Sequence, residues 1–124
     1  MKWLGLAVSG MVVALGVPAQ AQDVSAGERL FKRYCGVCHI AEKDSTRRMQ
    51  GPNLWGLIGR KAGTVEGFRY TDANKNSGIV WSAETLDPYL EHPREVIKGT
   101  TMAFAGVRKP DERKAIIEYL AAQK

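Results

Sequence analysis

Two cysteines and a histidine stand close together near the start of the chain. Cys35 and Cys38 are its only cysteines, and His39 directly follows Cys38, so that residues 35–39 read Cys-Gly-Val-Cys-His. Thiol and imidazole groups at this spacing suit four kinds of site. These are a disulfide, a thioredoxin-like redox pair, a zinc site and the attachment point of a haem c.

The surrounding sequence separates these four possibilities. A thioredoxin-like pair needs a preceding strand and alternating strands and helices around it. A zinc site needs four ligands, and the thiol and imidazole set is completed only by the distant His92. A disulfide stays possible in an oxidising compartment. Haem c uses all three residues, because each thiol can add to one vinyl group while the imidazole binds the iron. We therefore expect one covalent haem c on Cys35, Cys38 and His39.

A second axial ligand distinguishes an electron carrier from a haem protein that leaves one iron position open. The candidates are Met49, His92 and Met102. Met49 lies too close to His39 in the chain to reach around the ring easily, and His92 stands at a helix end where a solvated side chain is expected. Met102 lies in an irregular segment between glycines, which suits a chain laid over a flat cofactor. We expect Met102 to be the ligand, and His/Met ligation raises the reduction potential.

The N-terminus has the pattern of a secretory signal. Lys2 is followed by an apolar run from Trp3 to Val17, and Ala19 and Ala21 are the small residues at a cleavage site. We therefore expect residues 1–21 to be removed and the protein to be periplasmic. A retained membrane anchor is the alternative, although the run is shorter than the roughly 20 residues that span a bilayer.

The remaining residues, 22–124, form one small domain. Losing Lys2 lowers the formal net charge of +5 by one, and this mild basic excess fits an acidic protein partner, an anionic membrane surface or nucleic acid. The basic residues are scattered, which argues against nucleic acid, and no later segment could insert stably in a membrane. A domain of this size buries a marginal core, to which a bound haem would add.

Helices, and no confident strand, are expected around the haem. The predicted helices cover residues 26–34 after a capping box at Ser25 and Glu28, residues 71–76 before Gly78, residues 86–91 with Pro88 in the first turn, and a C-terminal helix from Pro110. The fold class is therefore all-α, with three to five helices wrapped around one haem and the two terminal helices crossing.

Four ordered motifs at residues 35–39, 51–63, 70–76 and 102–106 make the chain resemble a class I cytochrome c, of the mitochondrial-like branch with its bacterial soluble relatives. The resemblance covers residues 24–123. It implies thioether bonds at Cys35 and Cys38 and axial ligation by His39 and Met102. It also implies roles for several further residues: Pro52 behind the histidine; Arg60, Tyr70 and Trp81 at the propionates; Asn74, Tyr89 and Thr100 near the methionine; and Gly27, Phe31, Ile116 and Tyr119 at the helix crossing.

The resemblance also implies a function. We expect a soluble, monomeric electron carrier, not an enzyme, that meets a cytochrome complex, terminal oxidase, reductase or photosynthetic reaction centre only transiently. Lys98 stands where the family usually has proline, and Thr101 stands where it usually has lysine. These departures put a direct transfer of the family's partner surface in doubt. A haem sensor and a dedicated dehydrogenase subunit are the alternatives.

Overall fold

A computed structural model describes residues 10–16 and 19–124 of the chain. Five helices follow one another in this part: α1 (Ala19–Tyr34), α2 (Asp72–Lys75), α3 (Ala83–Glu91), α4 (Pro93–Val96) and α5 (Pro110–Ala122). The described residues contain no strand, only an isolated antiparallel bridge between Lys61 and Val80. The all-α prediction is confirmed, and α2 and α5 lie where short and C-terminal helices were expected.

The first helix begins earlier than predicted. α1 starts at Ala19, so Ser25 lies inside the helix, where its Oγ accepts a hydrogen bond from Arg29 Nη1 at 3.0 Å. Glu28 pairs with Lys32 at 2.7 Å instead of closing a capping box. The predicted box is wrong because the residues before Ser25 are mostly Ala and Gln, which favour continued helix.

The structure describes only part of the predicted signal segment. Residues 1–9 and 17–18 of it lie outside the described residues, and α1 already begins at Ala19 within the segment. Removal of residues 1–21 therefore stays a prediction. None of the described helices has the length and apolar character needed to cross a membrane.

The middle helix also starts early. Ser82 Oγ accepts a hydrogen bond from Thr85 N at 3.2 Å, and Thr85 Oγ1 accepts one from Ser82 N at 2.8 Å, so the two residues form a capping box at the start of α3. Pro88 consequently lies inside α3, not in its first turn as predicted. The box is hard to read from sequence because threonine replaces the usual glutamate or glutamine.

The terminal helices cross where Gly27 faces α5. A Cβ at Gly27 would overlap the carbonyl oxygen of Ala115 and lie 2.7 Å from Tyr119 Cβ. Beside this point the rings of Phe31 and Tyr119 pack with centroids 5.2 Å apart, and Ile116 is fully buried. The contact implied by the resemblance is thus present, and it rests on the missing side chain of Gly27.

A buried arginine joins α5 to α3. The side chain of Arg113 is 6% exposed, and its Nε donates to Asp87 Oδ1 at 2.8 Å. Its Nη1 also donates to the carbonyl oxygens of Val107 and Arg108 at 3.1 and 3.0 Å. These bonds fix the chain between the Met102 segment and α5.

We predict that Gly27→Ala destabilises the protein although alanine ordinarily favours a helix by about 1 kcal/mol. The new Cβ must push the helices apart, and overpacking of this kind costs about 1–3 kcal/mol. Denaturant unfolding of the haem-bearing protein measures the change. Arg29→Ala, on the exposed face of α1, is the control and should stay within about 0.5 kcal/mol. A stabilised Gly27→Ala protein would contradict the crossing.

Candidate haem-binding site

One interior cavity of about 580 Å³ collects the residues that the sequence assigned to the site. It lies between the end of α1, the irregular chain of residues 50–63, α3 and the segment of residues 100–104. The predicted site residues all line it: Cys35, Cys38, His39, Pro52, Arg60, Tyr70, Asn74, Trp81, Tyr89, Thr100 and Met102. The roles of the individual residues stay predictions, but the chain brings them together around one space.

Most of the remaining lining is apolar, and sequence reasoning missed it. The residues concerned are Leu54, Leu57, Phe68, Leu86, Leu90, Phe104 and Leu120. Several lie in irregular segments where no hydrophobic period marks a buried face. Leu86 and Leu90 are four residues apart on one face of α3, and Leu120 lies four residues after Ile116 on α5, so only these members of the lining lie in a helical period. Such walls suit a large apolar ligand held away from water.

The ring of His39 is held in one orientation, just after the end of α1. A turn after α1 places it, because His39 N donates to the carbonyl oxygen of Cys35 at 2.8 Å. Its Nδ1 lies 2.8 Å from the carbonyl oxygen of Pro52. A carbonyl can only accept, so Nδ1 carries the proton and Nε2 keeps its lone pair for a metal. Burial also lowers the pKa of His39 and keeps the ring neutral.

Gly51 leaves room for that ring. A Cβ at Gly51 would lie 2.6 Å from His39 Nδ1 and 2.7 Å from Nε2, much closer than atoms can pack. Gly51 N also donates to the carbonyl oxygen of Cys38 at 2.7 Å, which draws the two segments together. The absence of a side chain at this position is therefore a steric requirement of the histidine site.

The two thiols fit covalent attachment better than the alternatives. Both are free, and burial raises the pKa of the Cys35 thiol to about 12, whereas redox-active pairs need a lowered thiol pKa. Cys38 Sγ donates only to Gln50 Oε1, at 3.5 Å. Among the described residues, no group of three or more His, Cys, Asp or Glu side chains gathers as a metal site, which leaves a zinc centre without ligands.

Met102 is the one of the three candidate ligands that reaches the cavity. Its Sδ accepts a hydrogen bond from Tyr89 Oη at 3.5 Å, and its N donates to Thr100 Oγ1 at 3.2 Å. Burial raises the pKa of Tyr89, so the hydroxyl stays a donor. His92 lies in a separate cleft beside Arg108, and Met49 does not line the cavity.

Two of the residues expected near the propionates also form hydrogen bonds to the protein backbone. Arg60 donates to the carbonyl oxygens of Asn53 and Trp55 at 3.0 and 3.3 Å, which hold its guanidinium at the cavity wall. Tyr70 Oη accepts a hydrogen bond from Val65 N at 3.2 Å and keeps its own proton to donate. A cation and a hydroxyl donor so placed suit carboxylates that leave water.

Comparisons with known proteins show which sequences this chain is similar to. The family model described as cytochrome c matches residues 24–124. A cytochrome c from Gibberella zeae is 51% identical over 98 residues, covering 79% of this chain and 92% of the fungal protein. Cytochrome c type-1 from Ascaris suum is 48% identical over 98 residues, covering 79% and 86%. Cytochrome c from Chlamydomonas reinhardtii is 47% identical over 102 residues, covering 82% and 90%.

The same relatives overturn the predicted location. They come from a fungus, nematodes, a green alga and plants, and they point to the mitochondrial intermembrane space rather than to a bacterial periplasm. The periplasmic prediction is therefore wrong. It rested on the signal-like pattern of Lys2, the apolar run after it and the small residues Ala19 and Ala21, and such a pattern indicates a targeting signal more directly than the compartment to which the signal leads.

We predict that Gly51→Ala weakens the histidine site. The added methyl must displace His39 from its bond to Pro52, and overpacking of this kind costs about 1–3 kcal/mol of stability. The unfolding midpoint and the optical spectrum of the haem-bearing protein measure the effect. Val37→Ala, at a position 81% exposed between the two cysteines, is the control and should leave both unchanged. A parent-like Gly51→Ala spectrum and midpoint would show that the ring has room.

Proposed function

Because the chain belongs to the cytochrome c family and carries one covalently bound haem c, we propose that His39 and Met102 ligate the iron and that the protein shuttles single electrons between redox proteins. It is an electron carrier and not an enzyme. The observation that carries the ligand assignment is that the His39 ring and the Met102 sulfur line the same cavity. When bound, the haem supplies an iron that accepts and releases one electron.

The chain's own residues keep this centre unchanged between oxidation states. Cys35 and Cys38 hold the cofactor by covalent bonds, so that it cannot dissociate. Pro52 fixes the orientation of His39, and Tyr89 donates to the sulfur of Met102 at 3.5 Å. Because these contacts fix the positions of the iron ligands, the ligand geometry changes little on electron transfer, and the reorganisation energy stays small.

The walls and polar groups set the environment of the centre. Leu54, Leu57, Leu86 and Leu90 exclude water from the cavity, and a dry site favours the less charged state of the iron. We assign Arg60 and Tyr70 to the propionates, together with Trp81, which is buried at 8% exposure. Asn74 and Thr100 complete the polar lining on the methionine side.

We propose brief, small and wet contacts with partner proteins, because carriers must release each partner quickly. The chain's formal net charge of +5 would steer acidic partner surfaces toward it. A quinol-oxidising cytochrome complex as donor and a terminal oxidase as acceptor fit this role, and the protein itself would act as a monomer.

We predict that Met102→Ala leaves the haem attached but lowers the reduction potential, by about 100 mV or more within the ~0.8 V span that axial ligands control. Redox titration measures the shift, and carbon monoxide should now bind the reduced protein. Met49→Ala is the matched control and should keep the parent potential. An unchanged potential in Met102→Ala would refute the ligand assignment.

We also predict that replacing both Cys35 and Cys38 by alanine gives a haem-free, unfolded chain, because the walls of the cavity then have nothing to pack against. Mass spectrometry reports attachment, and circular dichroism reports helix content. Each single replacement, which keeps one thioether, should retain haem and more structure. A folded double variant without haem would show that the core forms independently of the cofactor.

A further inference from the structure

The segment that carries Met102 has few backbone bonds to the rest of the protein. Thr100 N donates to Ile97 O at 3.1 Å, and Phe104 N donates to Met102 O at 3.0 Å. Directly after the segment, Val107 N donates to Leu90 O of α3 at 2.7 Å. Among the described residues, this is the backbone bond that ties this part of the chain to a longer helix. The position of residues 101–106 therefore depends on side chains.

Phe104 provides a second contact to Met102, beside the bond that Tyr89 donates to the sulfur. Its backbone N is bonded to the carbonyl oxygen of Met102, so the two residues move together. Its half-buried ring lies edge-on to the ring of Tyr34, with centroids 6.4 Å apart and planes at 65°. This is a favourable arrangement for two aromatic rings. Both rings also line the cavity.

The hydroxyl group of Tyr34 is itself held by a hydrogen bond. It is the last residue of α1 and stands directly before Cys35, while its Oη donates to Glu112 Oε2 in the first turn of α5 at 2.8 Å. The Arg33 guanidinium lies 5.3 Å from the ring centroid. The bond to Glu112 raises the pKa of Tyr34, so the hydroxyl keeps its proton to donate.

We infer that Tyr34 is a positioning residue for Met102: anchored to Glu112 on α5, its ring holds Phe104 and, through the bond between Phe104 and Met102, the methionine sulfur at the cavity. The inference rests on the proposed role of Met102 as an iron ligand. It adds that the single bond between the end of α1 and the first turn of α5, from Tyr34 to Glu112, sets how firmly that ligand is held.

Competition by added imidazole tests the inference in the full haem-bearing protein. Imidazole can occupy the iron of the oxidised protein only when Met102 leaves, so its affinity reports how firmly Met102 is held. Tyr34→Phe removes one hydroxyl and keeps the ring. We expect it to tighten imidazole binding about two- to tenfold, the factor that one lost hydrogen bond of ordinary strength gives. Glu112→Ala should do the same, and the double variant should bind no more tightly than either one.

Tyr119→Phe is the matched control, since Tyr119 packs on Phe31 at the helix crossing. It should leave imidazole affinity at the parent value. Unchanged affinity in Tyr34→Phe, or an equal gain in Tyr119→Phe, would overturn the positioning role. Denaturant unfolding of the same variants adds a second readout, because a purely structural role predicts that imidazole affinity follows global stability across all of them.

Met102→Ala separates this inference from the proposed function. If Met102 ligates the iron, Met102→Ala binds imidazole far more tightly than any tyrosine variant. Parent-like affinity in Met102→Ala would refute the ligand assignment itself. Tight binding in Met102→Ala together with parent affinity in Tyr34→Phe would leave that assignment standing and overturn only the role of Tyr34.

Discussion

The packing of the chain around a large cofactor is the constraint on which the rest of the structure depends. Core side chains such as Leu57, Leu86 and Leu90 face a space of about 580 Å³ as well as one another. Unfilled space beside buried side chains costs stability, and a whole domain is stable by only ~5–15 kcal/mol. The haem is thus part of the core, and its covalent attachment keeps the core complete.

This constraint explains why the segments around the cavity are irregular. Irregular backbone can follow the surface of a flat ligand more closely than a helix can. A helix contacts such a ligand only with one end or one face. α1 delivers Cys35 at its end, α3 contributes one apolar face, and α2 and α5 contribute Asn74 and Leu120, whereas most of the other lining residues lie in loops. Within those loops the backbone is fixed by single contacts, such as His39 Nδ1 on Pro52 and Arg60 on Asn53 and Trp55.

The sequence allowed the chemistry to be predicted better than the packing. Cys35, Cys38 and His39 form a pattern in which haem c attachment uses all three residues. Met102 was predicted as a ligand because it lies in an irregular segment between glycines. Leu54 and Phe68 gave no such signal, because a loop residue that faces a ligand has no period to mark it. Arg113 was missed because a charged residue in an amphipathic helix is expected in solvent, whereas this one is satisfied by Asp87 and two carbonyl groups. The starts of α1 and α3 were misplaced for a local reason, since helix boundaries depend on hydrogen bonds that residue types only suggest.

The bonds of Arg113 have a consequence for the order in which the protein is built. Cys35, Cys38 and His39 leave the ribosome early, but the helix that positions them, α1, packs on α5 through Gly27 and Phe31. The chain that follows the Met102 segment is held at Val107 and Arg108 by Arg113, which belongs to the last helix to be synthesised. Both walls of the cavity are therefore completed only when the last helix has been made, because α1 needs its crossing with α5 and the chain after residue 106 needs the bonds of Arg113.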